Sequence, residues 1–187
     1  FMPLKKIITV PSETLRKISE PLENVGKEEK KLIKDLFETM YHNKGIGLAA
    51  IQVGIPKRII VLDVSKDEKK RDPLCFINPV IKKQSDEKSV YEEGCLSLPD
   101  TFIEIERPKL CWIEYIDIDG KKKEIKCDDL LSTCIQHEIN HLDGRLIIDY
   151  LSKLKRDIII KKLSKTKQDP DRIAVSYTHL RAHETVS

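Results

Sequence analysis

Between Asp128 and Gly144 the sequence reads DDLLSTCIQHEINHLDG, in which Leu130, Leu131, Cys134, Ile135, Ile139 and Leu142 cover most of the circumference of a helix. A helix that is apolar nearly all round has to lie inside the protein, so the rest of the chain must wrap it. Asp128 stands where an N-cap is wanted and Gly144 where a helix stops, which predicts a helix over 129–142. Inside it, His137-Glu138-Ile139-Asn140-His141 forms the pattern HExxH. Residues four apart share one helical face. Both imidazoles can therefore turn to one metal ion, with Glu138 beside a water bound to it.

A chain of 187 residues, 40% hydrophobic, supports one core and is short for two, so one compact domain is expected over 1–168. No apolar run reaches the eighteen or so residues of a membrane span, and the amino terminus, FMPLKKIITVPSETLRK, lacks a signal-peptide apolar region, which points to the cytoplasm. The five cysteines (Cys75, Cys95, Cys111, Cys127, Cys134) are odd in number and show no CxxC spacing, so reduced thiols are expected. The net charge of +3 is uneven: residues 151–168 carry +6, residues 169–187 carry −1, and the body carries −2. That balance argues against a sequence-specific nucleic-acid binder and for one basic element near the carboxyl end.

Apolar residues at Leu32, Ile33, Leu36, Phe37, Met40 and Tyr41 predict an amphipathic helix over Lys27 to Asn43, with His42 at its exposed end. KRIIVLDV reads as a buried strand, and CFINPVIKK as a second whose Pro79 calls for an edge or a bulge. From Thr101 to Cys127 the pattern is that of an antiparallel meander, with Asp119-Gly120 as a hairpin turn. LSKLKRDIIIKKLSKTKQ reads as a closing helix with Leu151, Leu154, Ile158 and Leu163 inward. Residues 169–187 lose all periodicity and read as a non-native or disordered tail; His179 and His183, four apart without an intervening Glu, belong to it.

A catalytic metal site wants a third protein ligand. The pattern HExxHxxGxxH of one metalloprotease class holds through Gly144 and then fails, because Ile147 stands where the third His belongs. Asp149 is a downstream carboxylate that other zinc proteases could use. Upstream, Cys95 in Glu93-Gly94-Cys95-Leu96-Ser97 is either a buried thiol or a thiolate ligand. Cys75, Cys111 and Cys127 lie in strand patterns and read as core, and Cys134 as core or pocket wall.

Three blocks, GIGLAAIQ (45–52), EGCLS (93–97) and QHEINH (136–141), occur in the order and approximate spacing of the peptide deformylases. The chain resembles that family from PSETLRKIS through Arg107-Pro108 to HLDG. The resemblance implies an α+β fold, with mixed, mainly antiparallel sheets wrapped around the HExxH helix and a closing C-terminal helix. It implies Cys95, His137 and His141 as metal ligands, Glu138 as the proton carrier, and Gln52 with the Leu96 N–H as holders of the formyl oxygen. It also implies removal of the formyl group from N-terminal formyl-methionine of nascent polypeptides, with Fe(II) expected and Zn(II) or Ni(II) accommodated. Gly47, Ile46, Leu130, Thr133 and Cys134 are expected to bind the substrate, the last four as an apolar slot for the methionine side chain. The basic helix 151–168 is either a solvated face or a contact to the ribosome. A zinc endopeptidase and a structural-metal module are the competing readings.

Overall fold

The computed structural model describes residues 4–165 and 181–183. Helix α1 (Lys27–His42) ends one residue before the predicted limit, and its Gly26 N–H donates to the Glu29 carboxylate at 2.9 Å. The strands are β1 (Gly47–Ala49), β2 (Ile59–Leu62), β3 (Leu74–Gln84), β4 (Lys88–Cys95), β5 (Leu98–Pro108), β6 (Leu110–Ile116), β7 (Lys122–Asp128) and β8 (Arg181–His183). Helix α2 (Asp129–Leu142) carries HExxH, and α3 (Lys153–Lys165) closes the fold. Two antiparallel sheets result, in the orders β1-β2-β3-β6-β7 and β5-β4-β8. The one parallel pairing among the described residues is the isolated bridge between Glu20 and Lys57.

Strand β2 shows how the larger sheet is covered. Side chains alternate along a strand, so Ile60 and Leu62 face α2 with Ala49, Phe76, Ile113, Ile135 and Ile139, while Ile59 and Val61 face α1 with Leu32, Ile33, Leu36 and Met40. A strand buried on both faces needs an unbroken β-branched run, and IIVL supplies it. Each such side chain contributes about 1.5–3 kcal/mol by leaving water. A third apolar cluster joins Leu98, Ile103 and Ile105 of the smaller sheet to Ile147, Ile148 and α3. Helix α2 lies between the sheets, touching β1, β2, β6 and β7 on one side and β5 on the other, which is the wrapped position its composition demands. No helix among the described residues is long and apolar enough to cross a membrane.

Pro79 resolves to a bulge: β3 is interior to its sheet, and its register with β6 shifts between Ile77 and Val80, with Asn78 at φ 50°. Asp128 occupies the N-cap position in extended backbone, but its side chain makes no capping hydrogen bond. The expected meander is corrected. Strand β5 pairs back with β4, and only β6 and β7 form the hairpin around Gly120, so the chain changes sheet between Pro108 and Leu110. A proline has no N–H to donate, and the neighbouring Arg107 turns inward to a buried partner.

The inward face of α3 also differs from expectation. Leu154 and Ile158 are 71% and 59% exposed, whereas Ile159, Ile160 and Leu163 pack on the third cluster with Leu151. The helix starts at Lys153 after extended backbone at Leu151, so Leu151 does not set its phase. Of residues 169–187, Arg181–His183 add a strand beside β4; the remainder, His179 included, lies outside the described residues.

Arg16 ties the amino-terminal segment to the turn after α2, forking onto Asp149 at 2.7 and 2.9 Å while Asp149 also accepts from the Leu146 N–H at 3.0 Å. Burial alone would raise the Asp149 carboxyl, but Arg16 and the Leu146 N–H outweigh it and hold it below the ordinary value. A carboxylate with a depressed folded pKa stabilises above its unfolded pKa, and that contribution is lost as pH falls through the folded one. Asp149→Asn should therefore lower Tm by roughly 2–4 °C at pH 7, with the gap closing below about pH 4. Thermal unfolding at pH 7 and pH 3 checks this; a gap of equal size at both would remove the ion pair as its cause.

Candidate metal centre

Strand β4 and helix α2 each deliver side chains to one buried place by their own periodicity. Glu93 and Cys95, two apart on β4, point to the same side. His137 and His141, one turn apart on α2, point back at them. Cys95 Sγ lies 3.4 Å from His141 Nε2, and the two Nε2 atoms are 3.2 Å apart. The three donor atoms lie within 4.8 Å of one another and all three residues are buried, so Cys95, His137 and His141 form a group able to hold a metal ion.

The orientation of His137 is fixed from behind. Its Nδ1 donates to Glu93 Oε1 at 2.9 Å, which turns Nε2 toward the cluster. Glu93, fully buried, is held in turn by Arg107 at 2.7 and 3.0 Å. Arg107 donates further to Asn140 Oδ1 at 2.8 Å and lies 3.1 Å from the half-exposed Tyr150 hydroxyl. Burial would raise the Glu93 carboxyl, but the His137 hydrogen bond and the Arg107 charge outweigh it and keep it ionised. Sequence reasoning gave Glu93, Asn140 and Tyr150 no role. Glu93 is legible in the sequence only as part of EGCLS, since KSVYEEGC carries no clear strand pattern.

The surroundings of the two imidazoles pull them in opposite directions. Burial pushes His137 down, yet hydrogen bonds to Cys95 and Glu93 and the charge of Glu138 carry it up to about 10. His141 is pushed well down, by burial first and then by the positive charges of His137, Arg107 and Arg16. A thiol and two imidazoles crowded together beside a buried carboxylate are a donor set that a divalent cation satisfies. Asp149, the alternative downstream ligand, is committed to Arg16 instead.

Glu138 stands at the rim of this group, its Oε1 3.8 Å from His137 Nε2. Gly47 of β1 comes so close that a Cβ there would sit 2.9 Å from Glu138 Oε1 and 2.7 Å from Leu62, so only glycine fits without moving the carboxylate. Gln52 follows in the 3-10 turn Ala50–Val53, with its amide fixed by the Ala49 N–H onto Oε1 at 2.9 Å and by Nε2 donating to Ser97 at 3.0 Å. Its second Nε2 contact, to Cys95 Sγ, is 3.6 Å. Leu96, fully buried, occupies the tight turn between β4 and β5. Ile46, Leu130 and Cys134 share the apolar cluster beneath α2, with Ile46 and Leu130 only partly covered. Burial, then the charges of Glu93 and Glu138, push the Cys134 thiol well up, which makes it a neutral wall.

Comparison with known proteins agrees with this geometry. The family model for polypeptide deformylase matches residues 4–157. The peptide deformylase of Pelagibacter ubique is 61% identical over 168 residues, spanning 90% of this chain and 98% of that protein. That of Bartonella henselae is 52% identical, over 90% and 96%. The crystal structure of the peptide deformylase from Ehrlichia chaffeensis superposes with a TM-score of 0.83 at 43% identity, covering 87% of this chain and 96% of that one. With the fold and most of the chain's length shared, this chain belongs to the polypeptide deformylase family.

Proposed function

We propose that this chain is a metal-dependent hydrolase that removes the formyl group from the N-terminal formyl-methionine of newly made polypeptides, releasing formate. The observation that carries the reading is the convergence of Cys95, His137 and His141 with Glu138 alongside, in a chain matched to the deformylase family over residues 4–157. Cys95, His137 and His141 would hold the ion. When bound, it supplies Lewis acidity, lowering the pKa of water toward neutrality and polarising a carbonyl. The thiolate and two imidazoles suit Fe(II), Zn(II) or Ni(II), and Fe(II) is the ion proposed for the working enzyme.

The protein's own part is proton transfer and charge stabilisation. Glu138 takes a proton as water oxygen bonds to the formyl carbon, and returns it to the amine nitrogen as the C–N bond breaks. Negative charge collects meanwhile on the formyl oxygen. The Leu96 N–H and Gln52 Nε2 meet it there, the latter through the N–H that Ser97 does not take and that points toward Cys95. Ile46, Leu130, Thr133 and Cys134 receive the methionine side chain, and Gly47 binds the substrate beside Glu138. The site belongs to one catalytic domain spanning 1–168, acting in the cytoplasm. The six lysines and arginines of α3 against its single Asp157 suit attachment to the ribosome, where nascent chains emerge.

The test is formate release from formyl-Met-Ala, run beside casein cleavage and beside the stability of metal-stripped protein. Deformylation without casein cleavage is expected, with formyl-Met preferred over formyl-Ala by at least about tenfold in kcat/KM, since each missing methylene in an apolar slot is costly. Casein cleavage would favour an endopeptidase, and metal-dependent stability without turnover a structural site. Equal turnover of formyl-Ala and formyl-Met would remove the slot while leaving the metal centre standing.

A further inference from the structure

The slot assigned to the substrate's first side chain contains one polar atom that nothing in the protein satisfies. Thr133 lies one turn before His137 on α2, so it shares the helical face that carries a candidate metal ligand. It is 1% exposed, and its Oγ1 has no hydrogen-bond partner. A helical threonine commonly returns its hydroxyl to the carbonyl a turn back, and this one does not. Its neighbours on the slot, Ile46, Leu130 and Cys134, belong to an apolar cluster. A buried hydroxyl without a partner is costly, so this atom is a place where a ligand gains by supplying one.

We propose that Thr133 is a specificity-determining residue whose hydroxyl donates to the thioether sulfur of the substrate's methionine. The proposal rests on the deformylation reading, which places that side chain in the slot. Methionine has one heteroatom, and sulfur is an acceptor with no proton of its own. Norleucine, with a methylene in place of sulfur, fills nearly the same volume and leaves Thr133 unpaired. A site built to bond a substrate atom discriminates against the analogue that lacks it, whereas a purely apolar slot does not.

The experiment compares kcat/KM for formyl-Met-Ala-Ser and formyl-norleucyl-Ala-Ser in the metal-loaded enzyme and in Thr133→Val and Thr133→Ser. The wild type should prefer methionine by roughly three- to tenfold, the span of one modest hydrogen bond. Thr133→Val keeps the shape and removes the hydroxyl, so its ratio should fall close to one. Thr133→Ser keeps the hydroxyl and should restore the preference. A ratio unchanged in Thr133→Val, or already near one in the wild type, overturns the proposal, the hydroxyl then being paired with ordered water only. A fall on Tyr91→Phe instead, Tyr91 being the buried phenol near Cys134, overturns it too. Failure of the wild type to deformylate either peptide would sink the underlying reading itself, which separates the two failures.

Discussion

Glu138→Gln should lower kcat by a factor of about a hundred to ten thousand while leaving the metal in place, the largest effect expected of any single substitution in this protein. The side chain touches none of the three donor atoms as a ligand, so an isosteric amide leaves the cluster intact. What the amide cannot do is take a proton from water and give it back to an amine. Its surroundings hold the group in place: Glu138 is buried, His137 lies 3.8 Å away, and Gly47 leaves no room for it to swing toward β1. Metal content by elemental analysis and single-turnover formate release check the two halves separately. A variant with full metal and near-wild-type turnover would show that another group moves the proton.

The parts of the fold legible in the sequence were those with a single dominant physical cause. A helix apolar all round had nowhere to go but inside, and IIVL, β-branched throughout, could only be a strand covered on both faces. The pair His137 and His141 was fixed by helical spacing alone. What was not legible depended on tertiary partners. Strand β4 reads KSVYEEGC, in which Glu92, Glu93 and Gly94 speak against a strand; Glu93 is tolerated inside only because Arg107, fourteen residues on, neutralises it and His137 shares it. The break between β5 and β6 turned on the same Arg107. The phase of α3 is hidden because Leu151 fits the pattern of a first helical residue, whereas the helix begins two residues later. Of the candidate site, both histidines and Glu138 followed from periodicity, while Cys95 needed the strand register that sets it opposite them.

Cys95→Ser should weaken metal binding by more than about a hundredfold. Loss of a mere outer partner of a ligand already costs ten- to a hundredfold, and here the ligand itself is changed. A serine hydroxyl stays protonated at neutral pH and is a hard donor, so it replaces neither the charge nor the softness of a thiolate. It also removes the sulfur contact of Gln52 Nε2, leaving that nitrogen bonded to Ser97 while Oε1 stays held by the Ala49 N–H. The other thiols serve as controls. Burial pushes Cys75 up to about 12, and Cys127 higher still through its hydrogen bond to Cys111 and burial, so neither is a ready thiolate. Cys111 is turned toward Ser132 at 3.3 Å, away from the metal group. Cys75→Ser, Cys111→Ser and Cys127→Ser should therefore keep the ion. Because every donor must be deprotonated to bind, wild-type retention should also decline as pH falls, and decline at a higher pH in Cys95→Ser than in the wild type. Dialysis against a chelator across pH 5–8, followed by elemental analysis, measures both effects. Equal metal content in Cys95→Ser and the wild type at every pH would remove Cys95 from the ligand set and leave His137 and His141 in need of another third partner.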